Sequence, residues 1–375
     1  AFLLTMSGRA NPAAVAQLYT KALELDPTIG VAHYNRAAYY QELGEKQKAL
    51  EDYKAAIALG FTKADVYVGL AGAYRDLGQN EAALKNFAKA LALDPGHAFA
   101  HNNRGALYLR NKEYDKAIAD FNAALNTSTF AMAYMNRGDA YAGKKDYQKA
   151  LADYKTAEGI IPDGPDVYAR RGKVYLKMGE NAKAIADAET ALGMDQRDPT
   201  ALDVLATAAW RSGDQLRAED AFKRYAAASP AEAYPYVNLA IIYDNQKRAD
   251  LAVEALAKAV KLAPQRTDLK EKLAKMQAGS GDVKASESNL SDLISGGGKE
   301  PRLYYYRART RFEAEDYKGA EADLKEVLKI TPDSPDTMIS LSLVFLRTGR
   351  RSEGLELASS VIDTKPKKRK SLGVI

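Results

Sequence analysis

The sequence repeats itself with a period of 34 residues. The segment RGDAY at Arg137–Tyr141 has counterparts in RGALY at Arg104–Tyr108 and in RGKVY at Arg171–Tyr175. The residue that opens this motif recurs along the chain in steps of 34 residues, with a single step of 33, at Arg36, Leu70, Arg104, Arg137, Arg171, Leu205, Leu239, Leu273, Arg307 and Leu341. A fixed period of this length predicts an array of small structural units, each packed against its neighbours.

Each unit, numbered so that the recurring residue is position 7, contains two stretches with helical periodicity. Position 8 is small, position 11 is usually Tyr, position 20 is usually Ala, position 24 is often aromatic and position 32 is often Pro. Positions 4, 8 and 11, and then 20, 24 and 27, share a helix face. The first helix is expected to end near position 15, which is occupied by Gly44, Gly78, Lys145, Gly179 and Gly213 in five units. Each unit is therefore predicted to be an antiparallel helix pair that buries its apolar face by stacking.

This pattern resembles the tetratricopeptide repeat (TPR) family over roughly residues 1–368, as ten full repeats and one partial repeat. The resemblance implies an all-α, right-handed superhelical solenoid of antiparallel helix pairs. It also implies a scaffold that binds a protein or peptide on the concave wall lined by the first helices, mainly at positions 2, 5, 6, 9, 12 and 13.

The repeats divide the sequence into four regions. Residues 1–266 form a TPR array of one partial and seven full repeats, and residues 301–368 form two further repeats. Between them, 267–300 keeps the period but has Gln277 at position 11 and Ser286 at position 20. We expect a degenerate repeat there, with a hinge near 296–298 as one interpretation and a merely drifted repeat as the other. Residues 369–375 form a basic C-terminal tail.

Composition and charge argue against cysteine-based sites, a nucleic-acid partner and a membrane span. The absence of Cys excludes disulfides and thiolate metal sites. The net charge of +5 equals the contribution of five basic residues near the C-terminus, so the rest of the chain is neutral and a nucleic-acid partner is not expected. Those residues are Lys365, Lys367, Lys368, Arg369 and Lys370. No apolar stretch approaches the roughly 18 residues of a membrane span, so we expect a soluble chain, either cytoplasmic or bacterial periplasmic.

Positions 7 and 23 change together from repeat to repeat. The repeats with Arg at position 7 all have Asp at position 23, which gives the pairs Arg36 and Asp52, Arg104 and Asp120, Arg137 and Asp153, Arg171 and Asp187, and Arg307 and Asp323. The repeats with Leu at position 7 have no acid at position 23. This covariation predicts an ion pair between the two helices of each unit. Arg137-Gly138-Asp139 is therefore interpreted as a structural sequence rather than an adhesion signal.

Two walls of first-helix residues are candidate partner-binding surfaces. The first wall carries carboxamides that can pair with a peptide backbone, exposed apolar groups and charges. Its residues are Asn35, Phe99, Asn102, Asn103, Met132, Met135, Asn136, Asp139, Arg170, Lys173 and Asn238. The second wall combines aromatic residues with Arg, as interface anchors often do. Its residues are Arg302, Tyr305, Tyr306, Arg309 and Phe312. Packing between repeats is the alternative role for members of both walls.

No catalytic, cofactor or metal site is expected. His97 and His101 are four residues apart, but a third ligand is missing from their neighbourhood in the sequence. Phosphate-binding and nucleophile motifs are also absent from the sequence. We therefore predict a non-catalytic scaffold or adaptor that binds a protein or peptide in the concave groove. The alternative is a structural subunit of a larger assembly, such as a bacterial envelope or secretion complex, with contacts on convex faces and array ends.

Overall fold

The computed structural model describes residues 11–363, and these residues form helices and connecting turns without a β-strand. The basic tail 369–375 and the first ten residues of the partial repeat lie outside the described residues. The helices are α1 (Pro12–Leu25), α2 (Gly30–Glu42), α3 (Lys46–Ala58), α4 (Ala64–Asp76), α5 (Asn80–Leu93), α6 (Ala98–Arg110), α7 (Tyr114–Thr127), α8 (Ala131–Gly143), α9 (Tyr147–Ile160), α10 (Pro165–Met178), α11 (Asn181–Met194), α12 (Pro199–Arg211), α13 (Gln215–Ala228), α14 (Ala233–Asn245), α15 (Ala249–Leu262), α16 (Thr267–Gly279), α17 (Val283–Ser295), α18 (Pro301–Glu313), α19 (Tyr317–Ile330), α20 (Pro335–Arg347) and α21 (Arg351–Asp363). The all-α fold class is confirmed.

A left-handed residue at position 15 ends the first helix of every full repeat. Gly occupies this position six times, and Lys112, Lys145, Lys247 and Glu315 occupy it in the other repeats with φ between 59° and 64°. The left-handed conformation turns the backbone so that the chain can reverse and begin the second helix. In four repeats the next residue is an Asp whose side chain caps the second helix, as Asp214 does by accepting from the backbone N–H of Arg217 at 3.1 Å.

The two helices of a repeat approach closely because small residues lie where they cross. Ala at position 20 is fully buried in repeat after repeat, and the aromatic residue at position 24, such as Phe121 or Tyr154, is buried beside it. A Cβ added at Gly105 would lie 2.8 Å from the Phe121 ring, so a larger residue at that crossing would have to displace the ring. Burying such a ring contributes about 2 kcal/mol.

The chain forms two compact units, with the division between Val204 and Leu205 in α12. Within each unit, successive first helices contact one another, as α6 does with α8 and α18 does with α20, whereas successive second helices in the described part of the chain are farther apart. The first helices therefore line the inner side of each unit. The separation of residues 267–300 from their neighbours, and a hinge near 296–298, remain predictions.

Residues 267–300 form a complete helix pair in which polar contacts replace the aromatic ones. Gln277 is buried at position 11, and its side-chain oxygen accepts from Asn289 Nδ2 at 2.8 Å. Ser286 at position 20 lies 3.2 Å from the Thr310 hydroxyl of the next repeat. This repeat thus keeps the helix pair while its core carries more hydrogen bonds. In the part of the chain that the structure describes, the helices are too short or too polar to cross a membrane.

Candidate functional site

The structure brings all five Arg and Asp pairs together. In each pair the Arg Nε and Nη2 donate to the two carboxylate oxygens of the Asp, and all ten distances lie between 2.6 and 2.8 Å. The Asp side chains are nearly inaccessible, and Asp323 is 2% exposed. The hydrogen bonds that Arg137 donates to Asp153, together with the charge of that carboxylate, raise the pKa of Arg137 against the opposing effect of burial. These bidentate pairs fasten the first helix of a repeat to the second.

The guanidinium groups also reach back to the preceding repeat, a contact that the repeat pattern did not indicate. Arg137 Nη1 donates to Asn122 Oδ1 at 2.7 Å, and Arg36 and Arg307 make corresponding bonds to Thr20 and Ser291. All three acceptors occupy position 25, so a polar residue there was the available signal. Each of these arginines therefore joins two repeats as well as two helices.

The central part of the first wall is a connected polar chain. Asn136 Nδ2 donates to Asn102 Oδ1 at 3.1 Å, and Arg170 Nη1 donates to Asn136 Oδ1 at 3.4 Å and to Asp139 Oδ2 at 2.5 Å. The Tyr154 hydroxyl donates to the other Asp139 oxygen at 2.7 Å. Burial, together with the Asp139 charge, raises the pKa of Tyr154 well above its usual range, so this hydroxyl stays a donor. Arg137 and Asp139 therefore both have internal partners, and Gly138 lies within α8.

Several residues of the first wall are unavailable to a partner. Met135 is 2% exposed and belongs to the core around Tyr154, because position 5 of this repeat faces the neighbouring helix pair. Asn102 and Asn136 are buried in the polar chain. Asn238 donates to the Tyr234 carbonyl of its own helix at 2.9 Å. Packing or internal hydrogen bonding thus buries Met135, Asn102 and Asn136, whereas Asn238 is half-buried and stays a predicted contact.

The first wall exposes two large apolar side chains. Phe99 is 62% exposed and its ring lies 5.6 Å from the Phe130 ring, while Met132 is 43% exposed. Lys173 is exposed, and Asn35 and Asn103 are half-buried. Phe130 was missed by sequence reasoning because it falls in the turn before α8 rather than on a first helix.

The second wall encloses two cavities on opposite sides of α18. The first, of about 290 Å³, lies between α18 and α20 and is lined mainly by apolar groups, including Tyr305, Phe312 and Leu343. The second, of about 230 Å³, lies between α16 and α18 and is more polar, with Lys275, Tyr306 and Thr310 in its lining. Arg309 and Glu313 line both cavities. We call them the apolar cavity and the polar cavity.

The polar cavity exists because the degenerate repeat has small side chains on its wall. Ala278 and Gly279 occupy positions 12 and 13 of that repeat, where the next repeat has Phe312 and Glu313. A Cβ added at Gly279 would meet no atom within 4 Å. Sequence reasoning treated residues 267–300 as a departure from the pattern, and small residues at these two positions were the signal that could have located the cavity.

The other members of the second wall are held by neighbours. Arg302 Nε donates to Glu271 at 3.2 Å, and the Tyr305 hydroxyl lies 3.3 Å from Ser340 Oγ. Lys275 Nζ lies 4.6 Å from the centre of the Tyr306 ring. Arg309 is exposed and, among residues 11–363, has no ion-pair partner. The charged group of Arg309 is thus available to bind a ligand.

Each of the three histidines has its own hydrogen-bond partners. His101 Nδ1 lies 2.9 Å from Asp120 and its Nε2 lies 3.0 Å from the Pro95 carbonyl, while His97 Nε2 lies 2.9 Å from Asp65. His33 repeats the His101 arrangement in its own repeat. Residues 11–363 contain no group of three or more acidic or His side chains arranged to hold a metal ion.

Comparison with known proteins places these repeats in a family. Models described as "TPR repeat" or "Tetratricopeptide repeat" match residues 18–51, 71–112, 98–128, 138–179, 170–233 and 233–266. The human tetratricopeptide repeat protein 13 is 29% identical over 112 residues, which is 29% of this chain and 13% of the human protein. The chain therefore matches only a small part of that relative's length.

The solved structure of PilW has a similar fold, and yeast Tom70 is a weaker match. PilW, described as a widely conserved type IV pilus biogenesis factor, is 24% identical with a TM-score of 0.51, over 56% of this chain and 98% of PilW. Yeast Tom70 is 17% identical with a TM-score of 0.42, over 93% of this chain and 88% of that chain. With the repeat pattern and the helix pairs, the family matches show that the chain belongs to the tetratricopeptide repeat family, whose members act as scaffolds for protein interactions.

Proposed function

We propose that this chain binds an extended segment of a partner protein along the second wall, across α16, α18 and α20. The observation that carries the proposal is the pair of cavities on either side of α18, with Arg309 between them. An extended segment places its side chains alternately, so neighbouring cavities can each receive one side chain. Pockets of this kind provide specificity, and backbone contacts add affinity.

Exposed apolar groups beside the apolar cavity support this assignment. Ile339 and Leu343 on α20 are 45% and 48% exposed, and both occupy wall positions. Burying them against a partner would remove apolar area from water and stabilise the complex. In the first wall, by comparison, Arg170 already donates hydrogen bonds to Asn136 and Asp139. The second wall is therefore the better candidate for the main contact.

A peptide selection tests the proposal. Random extended peptides displayed on phage would be selected on the wild-type chain, and their affinities compared with those for Leu343→Ser and Gly279→Met. The first change removes apolar lining, and the second fills the polar cavity from a position with free space. We expect each variant to weaken binding by about tenfold or more, which corresponds to about 1.4 kcal/mol.

Two control variants locate the site. Leu216→Ser changes a residue that is 79% exposed on the second helix α13, and Asn103→Ala changes the first wall. Both should bind the selected peptides as the wild type does. Loss of binding in Asn103→Ala with normal binding in Leu343→Ser would move the site to the first wall and overturn the proposal.

A row of exposed apolar residues favours a second candidate function, that of a structural subunit in a larger assembly. Position 30, at the end of the second helix, is apolar and exposed at five places in the compact unit that ends at Val204: Leu25 (90%), Leu59 (41%), Leu93 (56%), Ile160 (39%) and Met194 (42%). Exposed apolar rows often mark protein contacts. If this row is the main contact, Leu25→Ser with Leu93→Ser would abolish assembly while leaving the selected peptides bound.

A further inference from the structure

The second wall has an excess of basic side chains without ion-pair partners. Lys272 and Lys275 on α16, Arg309 on α18 and Arg347 on α20 all occupy wall positions, and within residues 11–363 they form no ion pair. Among the described residues, Glu313 is the acid that lines the two cavities. Two free cations, Lys275 and Arg309, therefore face one acid at the polar cavity, and the other two cations extend the positive charge along the wall.

The remaining acids of the wall are neutralised or lie away from the cavities. Glu271 accepts from Arg302 at 3.2 Å, and Asp268 is bound to Arg266 on both oxygens at 2.6 and 2.7 Å. Asp336 lies in the first turn of α20, where the positive end of the helix dipole favours a carboxylate. The field that an incoming segment meets around α18 is consequently positive.

We propose that the segment bound by the second wall is acidic, with one apolar anchor; this inference rests on the function proposed above. The anchor side chain enters the apolar cavity against Tyr305, Phe312 and Leu343. A carboxylate one or two residues away binds Arg309, whose planar guanidinium suits a carboxylate, and Lys275 at the mouth of the polar cavity.

The lining of the polar cavity is consistent with a carboxylate. The Ser286 and Thr310 hydroxyls lie 3.2 Å apart, and Thr310 also donates to the Tyr306 carbonyl at 3.0 Å, so one of these hydroxyls can turn to donate to an anion. Lys275 is held over the Tyr306 ring, which limits the side-chain entropy lost on binding. A basic segment would meet repulsion from Arg309 and Lys275. The chain's own residues 365–370, with five basic side chains, are therefore disfavoured as an occupant.

The first wall provides an internal contrast. There Arg170, which also lies on a first helix, is bound by Asp139 at 2.5 Å and by Asn136 at 3.4 Å. Its charge is thus satisfied inside the repeat array. Lys173 and Lys177, on the same helix, are exposed and form no ion pair with another of the described residues. The accumulation of unpaired cations around a lined cavity distinguishes the second wall from this region.

Three matched fluorescent peptides test the inference by anisotropy titration. Each has about eight residues, which spans roughly 26 Å when extended, with a central Leu. The flanking residues are Asp and Glu in the first probe, Asn and Gln in the second, and Lys in the third. We expect the acidic probe to bind at least about tenfold more tightly than the neutral probe and to weaken with added salt, because salt screens the exposed cations.

Two substitutions in the chain separate the contribution of charge from that of the apolar anchor. Arg309→Gln should reduce the preference for the acidic probe over the neutral probe by about fivefold, while Leu343→Ser should weaken both probes equally. Lys318→Gln, which removes an exposed charge on the second helix α19, is the matched control and should leave the preference unchanged.

The two proposals fail in different ways. If the neutral and acidic probes bind equally and both are weakened by Leu343→Ser, the wall binds peptides but the acidic preference is wrong. If the Lys probe binds most tightly, Glu313 dominates the cavity and the inference is overturned. If the probes and the phage-selected peptides all fail to respond to Leu343→Ser, the proposed function fails as well.

Discussion

Arg137 donates a hydrogen bond to each carboxylate oxygen of Asp153, at 2.8 Å from Nε and 2.7 Å from Nη2. The same bidentate bond recurs in each of the five repeats with Arg at position 7. Equivalent positions of different repeats can thus be compared within one sequence, because the same structural position occurs several times in the chain. Residues that change together between repeats are expected to be in contact, and here they are.

Breaking this bond from one side should destabilise the chain. Arg137→Leu leaves Asp153, which is 6% exposed, as a buried charge without its partner, and Asp153→Asn leaves the guanidinium without its carboxylate. We expect each single variant to lose about 3 kcal/mol of unfolding free energy. Urea unfolding followed by circular dichroism at the helix band measures this loss.

The double variant Arg137→Leu with Asp153→Asn should recover most of the loss. The chain already uses this combination in the repeat with Leu70 and Asn86, where Asn86 Nδ2 donates to the Ala82 carbonyl at 2.8 Å. We expect a net cost of about 1 kcal/mol, since both charges are removed together. Additive losses in the double variant would show that the two residues contribute independently.

The sequence predicted the helix pairs and the Arg and Asp contacts because both depend on short-range patterns. The alternation of small and aromatic residues specifies which faces meet, and a charge at position 7 needs an acid within reach. The exposure of the first-wall residues and the cavities of the second wall were harder to predict. Whether Met135 turns into the core or toward solvent depends on how adjacent helix pairs are rotated, and the cavities depend on missing volume at Ala278 and Gly279. Neither property follows from the repeat pattern alone.

Two helical glycines should respond oppositely to Ala. At Gly69 a new Cβ would lie 2.4 Å from Cζ of Tyr53, which is 2% exposed and whose hydroxyl donates to Gln41 at 2.8 Å. Gly69→Ala must displace that ring and should cost about 2 kcal/mol. Gly279→Ala meets open space and should add about 0.5 kcal/mol by restricting the unfolded chain. Urea midpoints compare the two, and equal midpoints would contradict the packing described around Tyr53.

An ion pair between repeats should make stability depend on pH. Hydrogen bonding to Arg350 lowers the pKa of Glu321 against the effect of burial, and Lys325 assists. A carboxyl whose pKa is lowered on folding stabilises the folded state above its unfolded pKa, and this contribution is lost as the pH falls through the folded pKa. Glu321→Gln should therefore be less stable than the wild type near pH 7, and the difference should shrink as the pH falls from the ordinary pKa of Glu through the lowered pKa of the folded state.

Arg350 provides the control for that measurement. In an Arg350→Gln background, Glu321→Gln should have a much smaller effect at neutral pH, because the hydrogen bond that does most to lower the pKa of Glu321 is gone. Unfolding midpoints at several pH values for the four chains of this cycle give the coupling directly. A coupling that is the same at neutral and acid pH would show that the pair acts through packing, since Arg350 also lies 4.1 Å from the Phe345 ring.

Asn136 and Asn103 occupy the same helix position in neighbouring repeats, but we expect only Asn136 to be needed for stability. Asn136→Ala removes the donor to Asn102 Oδ1 and an acceptor of Arg170, and it does so at a site that is 9% exposed. An unpaired buried polar group costs about 1–2 kcal/mol, so the urea midpoint should fall. Asn103→Ala, at the same helix position of the preceding repeat but half-buried, should change stability by less than about 0.5 kcal/mol. If Asn136→Ala unfolds at the wild-type midpoint, the carboxamide does not hold the chain together, and its candidacy as a peptide-binding group would be restored.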